Sequence, residues 1–310
     1  MSPAVRTGLR AALRNLRPGA RAADRLAALD ASCAVGGPES YALFRDLDAS
    51  VWGLLLAQEY REYPNIRSFL PDVPDPALQR LWNGADGADL ARQSTAFYVK
   101  AKERYAQHSP RALAESRVLD FGCGWGRLTR YFARDVEPGC LYGCDPVEQI
   151  LDECRRSGVP ATLARSEFMP SGPIFEEPFD LTFSFSVFTH TSEKAHESCL
   201  EALFASLRPG GVLILTIRPP EYLHLSPLMA AELESLGPDV ETRLGEPRYI
   251  FTPHPAEDSH LQYAGGEMTY GETVVTLPYV RERWASMFEL LEIDVLPEDP
   301  YQVILTLRRS

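Results

Sequence analysis

The chain has 310 residues, 45% of them hydrophobic, with 43 acidic against 31 basic side chains and a formal net charge of −12. That supports a sizeable core, as one large domain or a domain with an appended cap, and it argues against a nucleic-acid backbone as main partner, because such binding draws on clustered Lys and Arg. The six cysteines show no paired C-x-x-C spacing, no run has the length of a membrane span, and the first residues lack the apolar core of a secretory leader, so a cytoplasmic protein with reduced thiols and no integral membrane association is expected.

Residues 1–36 read as a basic, loosely ordered arm. Arg6, Arg10 and Arg14 share one helical stripe and Leu9, Leu13 and Leu16 another until Pro18 and Gly19 interrupt; a bolder reading has this arm touch a membrane surface or an acidic partner. Residues 37–110 read as a helical cap. In 41–60, Leu43, Phe44, Leu47, Val51, Leu54 and Leu55 recur at three and four, which predicts one packed helix. The proline-rich run 71–76 cannot continue it and predicts a rigid loop. A second helix is predicted over 89–107, with Leu90, Phe97, Tyr98, Ala101 and Tyr105 turned inward.

Residues 111–310 alternate strand and helix. In 117–132, RVLDFGCGWGRLTRYF, a short apolar run ends at Asp120, Gly122, Gly124 and Gly126 follow at every second position, and an amphipathic helical segment comes next. Glycines so placed let a backbone approach a ligand, and the helix start offers unpaired N–H groups. The dinucleotide fingerprint is G-x-G-x-x-G, whereas here the order is G-x-G-x-G with an acid two residues before. A carboxylate there disfavours a pyrophosphate and suits an ammonium or sulfonium group. The bland alternative is a glycine-rich turn with a capping Asp.

Further strands are predicted over 141–145, ending in Asp145 with Pro146 opening a helix, over 161–164, over 179–187 and over 212–217 after the turn Arg208-Pro209-Gly210-Gly211. A doubly wound α/β sheet follows from that order. Residues 219–276, rich in Tyr and His among prolines and glycines, are too long for a simple connection and form an insertion after the fifth strand, a candidate acceptor lid. A helix over 279–287 and an antiparallel pair, 288–295 and 303–307, close the chain.

Taken together, VLDFGCGWG, Asp145, FDLTFSFSVFTHT and LRPGGVLILTI resemble the class I S-adenosylmethionine-dependent methyltransferase family, from residue 117 to the C-terminus. The FTH triplet and YVRERWASMFELLEI resemble a bacterial small-molecule subgroup, some of whose members occur beside glycan or natural-product genes. The resemblance implies a seven-stranded Rossmann-like sheet with its final strand antiparallel between strands five and six, and S-adenosylmethionine as cofactor. It implies that Gly122, Cys123, Gly124 and Gly126 line the methionine part with Asp120 in the polar network beside it. Asp145, next to Pro146, would accept from both ribose hydroxyls, although Asp145 could also simply cap the helix that follows. The adenine side departs from the family pattern: an acid before a small residue is replaced by Arg165-Ser166-Glu167-Phe168, with Ser166 and Glu167 as the nearest candidates. Ser184, Ser186 and Val187 match the end of the fourth strand, near cofactor and acceptor.

His190, just beyond that strand, is the candidate general base should the acceptor be a hydroxyl; a polar turn residue is the equal alternative. No carboxylate and histidine set is spaced for a metal. The expected activity is in-line methyl transfer to a small-molecule or glycan-type acceptor, with a cofactor-binding regulator and an RNA methyltransferase as the alternatives. The sequence leaves the oligomeric state open.

Overall fold

The computed structural model describes residues 20–34, 41–255, 263–264 and 267–310; the stripe of Arg6, Arg10 and Arg14 lies outside them. Inside the expected arm, Ala20–Ala34 forms helix α1. Leu26 and Leu29 are fully buried and share a core with Phe44 and Trp52, so this half of the arm is part of the cap. A tertiary contact explains it: the Asp30 carboxylate accepts the backbone N–H groups of Asn65 and Ile66, both at 2.9 Å. It thereby satisfies the first turn of α3 (Pro64–Phe69) from another segment.

The single helix expected over 41–60 is broken in two. A 3₁₀ turn, Tyr41–Phe44, comes first, then Asp48 caps α2 (Ala49–Leu56) by accepting from the N–H groups of Ser50 and Val51. The proline run ends in a helix that its composition concealed. Asp75 caps α4 (Pro76–Asn83), and Pro76 stands in the first turn, where a missing N–H costs nothing. The long helix α5 (Gly87–His108) buries Leu90, Phe97, Tyr98, Ala101 and Tyr105, as its periodicity predicts.

The sheet begins with β1 (Val118–Phe121), buried throughout. Only four residues of the following segment are regular helix, α6 (Thr129–Phe132). Then come β2 (Leu141–Asp145), α7 (Glu148–Arg156), β3 (Thr162–Arg165), β4 (Phe179–Ser184), α8 (Glu193–Ser206) and β5 (Leu207–Ile217). The insertion contributes short helices α9 (Ala230–Ser235) and α10 (Val240–Leu244) and strands β6 (Tyr249–Pro253), β7 (Tyr263–Ala264), β8 (Glu267–Met268) and β9 (Gly271–Val275). Helix α11 (Leu277–Arg283), β10 (Phe288–Leu296) and β11 (Asp299–Arg309) complete the chain.

The seven-stranded sheet runs β10-β11-β5-β4-β1-β2-β3. Strands β1 to β5 are mutually parallel, and β11 lies antiparallel between β5 and β10. Alternation along β5 divides the core: Val212 and Ile214 face the cap helices with Phe97, Phe132 and Phe183, while Leu213 and Leu215 face the opposite layer with Leu200, Leu203 and Trp284. The insertion has a small core of its own, including Leu223, Met229, Ile250 and Val274, with β6 paired antiparallel to β9.

Directional bonds fasten the cap to the sheet. Arg134 donates to the carbonyls of Phe44 (3.2 Å) and Leu47 (2.8 Å), and the Trp52 indole N–H donates to the Tyr131 carbonyl at 3.1 Å. A bidentate pair joins Arg104 of α5 to Asp294 of β10 at 2.7 and 2.6 Å. These bonds tie the cap helices to the α6 segment and to β10.

Candidate functional site

At the C-terminal ends of β1, β2, β4 and β5, where the strand order reverses, a cavity of about 650 Å³ opens. Open α/β sheets bind ligands at such a crevice. Its floor is the glycine turn. Gly122 and Gly126 have φ of 77° and 78°, and a Cβ would stand 2.2 Å from a Val187 methyl carbon at the first and 2.8 Å from the Cys154 sulfur at the second. Gly124 differs, because a Cβ there meets nothing within 4 Å. Its missing side chain leaves open cavity.

Asp145 joins this turn to β2. Its Oδ2 accepts from the Gly124 N–H at 2.9 Å and its Oδ1 from the Val147 N–H at 2.9 Å. Each oxygen keeps a second acceptor position, so the carboxylate both caps the turn and faces the cavity. Burial pushes the Asp145 carboxyl up to about 6, with those two N–H groups pulling the other way. Asp120, at the end of β1, is pushed up to about 7 by burial, opposed by the Thr129 hydroxyl, which donates to it at 2.6 Å, and by Arg127. Two buried carboxyls, Asp120 and Asp145, line one side of the cavity.

The other side is built by β4, β5 and the insertion. Ser186 follows β4 with φ 64°, an uncommon conformation for a serine. It is held by a bond from its N–H to the Thr216 hydroxyl (2.8 Å) and by the Gln302 amide, which donates to its hydroxyl at 3.1 Å. The turn presents His190 to the cavity. The His190 Nδ1 lies 2.8 Å from the Gly271 carbonyl and therefore carries the proton, which leaves Nε2 as acceptor for Arg218 at 3.2 Å. Tyr270 stacks on the His190 ring at 5.1 Å, and His254 Nε2 lies 3.4 Å from a Glu272 carboxylate oxygen. Ligand atoms of His190, His254 and Glu272 lie within 4.8 Å of one another, a convergence hidden in sequence because β6 and β9 bring two of the three together. The Arg218 guanidinium, which contacts Glu272 and packs over Tyr222 at 4.0 Å, supplies the positive charge there.

Residues 118–211 match the methyltransferase domain family, and the seven-stranded order with an antiparallel β11 is that of the class I fold. The chain carries a class I methyltransferase domain. Among curated proteins, the trans-aconitate 2-methyltransferase of Pseudomonas paraeruginosa strain PA7 is 34% identical over 54% of this chain and 58% of its own. The cyclopropane-fatty-acyl-phospholipid synthase of Escherichia coli K12 is 26% identical over 46% of this chain and 35% of its own. The chain thus spans between about a third and three fifths of the length of these relatives. A magnesium protoporphyrin IX methyltransferase from Synechocystis PCC 6803, solved with bound SAH, is 16% identical over 75% of this chain and 93% of its own, with a TM-score of 0.47.

The cofactor of the methyltransferase domain is S-adenosylmethionine, and the residues fit it: an open cradle at Gly124, a carboxylate at Asp145 with acceptor positions to spare, and a buried acid, Asp120, suited to a cationic group. Of the residues expected at the site, Asp120, Gly122, Cys123, Gly124, Asp145, Pro146, Ser166, Glu167, Ser186, Val187 and His190 line this one cavity. Gly126 and Ser184 do not line it, and the Ser184 hydroxyl donates to the Phe121 carbonyl at 2.9 Å between β4 and β1. Cys123 is a protonated thiol, pushed up by its hydrogen bond with Cys154 and by burial.

Sequence reading missed the roof. Trp82 and Asn83 of α4 reach the cavity, and the Trp125 indole N–H donates to the Asn83 amide oxygen at 2.8 Å. The signal was the Asp75-Pro76 pair, a helix start that was read as loop. Arg127 and Arg218 were also missed, each lying immediately after a recognised motif.

Proposed function

We propose that the chain transfers the methyl group of S-adenosylmethionine to a small-molecule acceptor. The carrying observation is that one cavity is lined both by the cofactor cradle and by a separate wall of His190, Arg218, Tyr222, His254 and Tyr270. A volume of about 650 Å³ lies within the usual range for small-molecule sites. Methyl transfer from an activated sulfonium is an in-line displacement, so alignment and exclusion of water are the main tasks. Asp145 holds the ribose, Asp120 faces the positively charged end, and the α4 roof and the insertion cover the reacting centre. The relatives' names point to trans-aconitate in one case and to a fatty-acyl phospholipid in another, so the acceptor does not carry over by name. The acidic total speaks against RNA as acceptor.

If the acceptor is a hydroxyl, His190 takes its proton through Nε2, once the substrate displaces the Arg218 contact; His254, beside Glu272, is the second imidazole in reach. Six unpaired thiols support a reducing, cytoplasmic setting. Calorimetric titration with S-adenosylmethionine, S-adenosylhomocysteine and NADH tests the cofactor; a mass-spectrometric screen for products heavier by one methyl group tests transfer. Binding of NADH alone overturns the proposal, and cofactor binding without any methylated product across a broad screen favours the regulator. His190→Ala with retained cofactor binding and unchanged turnover removes His190 as base.

A further inference from the structure

The polar side chains beyond the ends of β4 and β5 are engaged with one another. Both ring nitrogens of His190 are bonded, one to the Gly271 carbonyl and one to Arg218. Ser186 is held by Thr216, Thr189 and Gln302, and Arg218 also donates to the Thr189 carbonyl at 3.1 Å. Two side chains at the start of β11 are different. Asp299 lines the cavity, yet among the described residues its carboxylate has no hydrogen bond and no ion pair: burial raises its carboxyl above the ordinary value, and Arg127 and Arg218 oppose that only through space. Gln302, also in the lining, is anchored at one end only. Its amide N–H donates to the Ser186 hydroxyl at 3.1 Å, which fixes the direction of the amide, and its Oε1 is buried without a partner among the described residues. A buried acceptor left unmet is costly, so a ligand group that brings donors to β11 is favoured.

We propose that Asp299 and Gln302 receive the nucleophilic group of the acceptor, that this group is an amine, and that Asp299 takes its proton. This rests on the S-adenosylmethionine reading of the cavity. Two hydrogen-bond acceptors are met by the two N–H bonds of a neutral primary amine, whereas a hydroxyl has one donor. The surrounding charge favours the reactive form: the two guanidinium groups that act on Asp299 disfavour a further cation, so a bound amine stays neutral with its lone pair free. An anionic acceptor group is disfavoured by Asp299 itself. Gln302 brings the amine to the end of β4, because Ser186, to which it is tied, precedes Val187, and Val187 packs on Gly122 of the cofactor turn. In the transfer the nitrogen lone pair forms the N–C bond as the methyl–sulfur bond breaks. The sulfur keeps that electron pair, leaving S-adenosylhomocysteine, and the nitrogen's proton passes to the Asp299 carboxylate.

The test is turnover of the full chain with S-adenosylmethionine and matched probes in which an amino group replaces a hydroxyl: phenethylamine and 2-phenylethanol, tyramine and tyrosol, glucosamine and glucose. The aromatic pairs suit Tyr222 and Tyr301, cavity residues whose rings meet edge to face at 6.1 Å. Tandem mass spectrometry should place the methyl group on nitrogen, with an amine favoured over its alcohol by about 100-fold or more in kcat/KM. Asp299→Asn should lower kcat for that amine by about 100-fold, while S-adenosylhomocysteine binds by calorimetry within about twofold of wild type. Gln302→Leu should raise KM about tenfold, and Gln302→Glu, which keeps an acceptor oxygen, should recover most of that loss. Methylation of the alcohols with the amines inert overturns the amine assignment, as does an absence of product from every amine while S-adenosylhomocysteine still binds. Unchanged kcat in Asp299→Asn overturns its role as base, and loss of S-adenosylhomocysteine affinity in both Gln302 variants overturns the acceptor contact in favour of structural support. A wild type that binds no S-adenosylhomocysteine defeats the cofactor reading as well.

Discussion

The backbone N–H of Gly124 donates to Oδ2 of Asp145 at 2.9 Å, while Oδ1 of the same carboxylate accepts from Val147. The glycine turn after β1 and the acid ending β2 are therefore one unit, and the two oxygens are oriented before any ligand arrives. Preorganisation of this kind lowers the cost of ordering on binding.

Asp145→Asn breaks that arrangement. An amide offers one acceptor oxygen and one NH₂ group, so either Gly124 or Val147 faces a donor, and one ribose hydroxyl loses its acceptor. Affinity for S-adenosylhomocysteine should fall about 10- to 100-fold by calorimetry, in line with the worth of charge-assisted bonds. A loss below about threefold would take Asp145 out of the ribose contact.

Asp120 predicts proton release on cofactor binding. In the unliganded protein burial holds its carboxyl near 7; a cationic group beside it favours the ionised form and lowers that value. Affinity should therefore rise with pH between about 5.5 and 7 and level off above, and titrations near pH 6.5 should show heats that depend on buffer ionisation. Folding has the opposite sign. A carboxyl raised in the folded state contributes stability below its unfolded value, near 4, and that contribution is lost as pH rises through 7, a cost of roughly 2–4 kcal/mol to the unliganded protein. Asp120→Asn should accordingly melt higher than wild type at pH 8 without ligand and bind cofactor more weakly. A lower melting temperature combined with pH-independent binding would show that Asp120 acts neither way.

Gly122 and Gly124 should separate stability from binding. Gly122→Ala drives a methyl into Val187 at a φ of 77° and should destabilise the fold by about 2–4 kcal/mol, partly recovered in Gly122→Ala with Val187→Ala. Gly124→Ala meets no protein atom and should cost only about 1–2 kcal/mol, the strain of a φ of 54°. It should nevertheless abolish cofactor binding, because its methyl occupies the ligand's space. Urea unfolding and calorimetry on the same samples decide it; normal binding by Gly124→Ala would place the ligand elsewhere.

These elements differ in how far they can be read from sequence, and the reason is locality. β1, β2 and β4 were legible because apolar runs, glycine spacing and a terminal acid lie within a dozen residues of each other. The order of the sheet, with β11 beside β5, was legible only through the family resemblance. α1 was not, since Asp30 caps a helix more than thirty residues away. α4 hid behind its prolines, and the junction of His190 with His254 and Glu272 exists only because β6 pairs with β9. Ser184 satisfied the motif, but strand alternation turns it onto the Phe121 carbonyl.

His196 supplies a prediction about acid stability. It is fully buried on α8, packed against Phe188 at 4.7 Å and Trp284 at 5.2 Å. Tyr249 donates its hydroxyl to the Thr191 carbonyl at 2.7 Å, so His196 Nδ1–H must donate to the tyrosine oxygen at 3.1 Å, leaving Nε2 buried without a partner among the described residues. Burial pushes the imidazole down to about 3. A histidine lowered on folding contributes stability above its unfolded value, near 6.5, and that contribution is lost as pH falls toward 3. Over pH 4 to 6.5 this runs against the carboxyls of Asp120 and Asp145, which are raised. His196→Phe fills the same aromatic site, removes the titration and leaves Tyr249 bonded to Thr191. Urea unfolding at half-unit steps should show the variant losing less stability than wild type between pH 6.5 and 4, by up to about 3 kcal/mol at the acid end. Parallel wild-type and variant curves over that range would show that His196 is not held neutral by the fold.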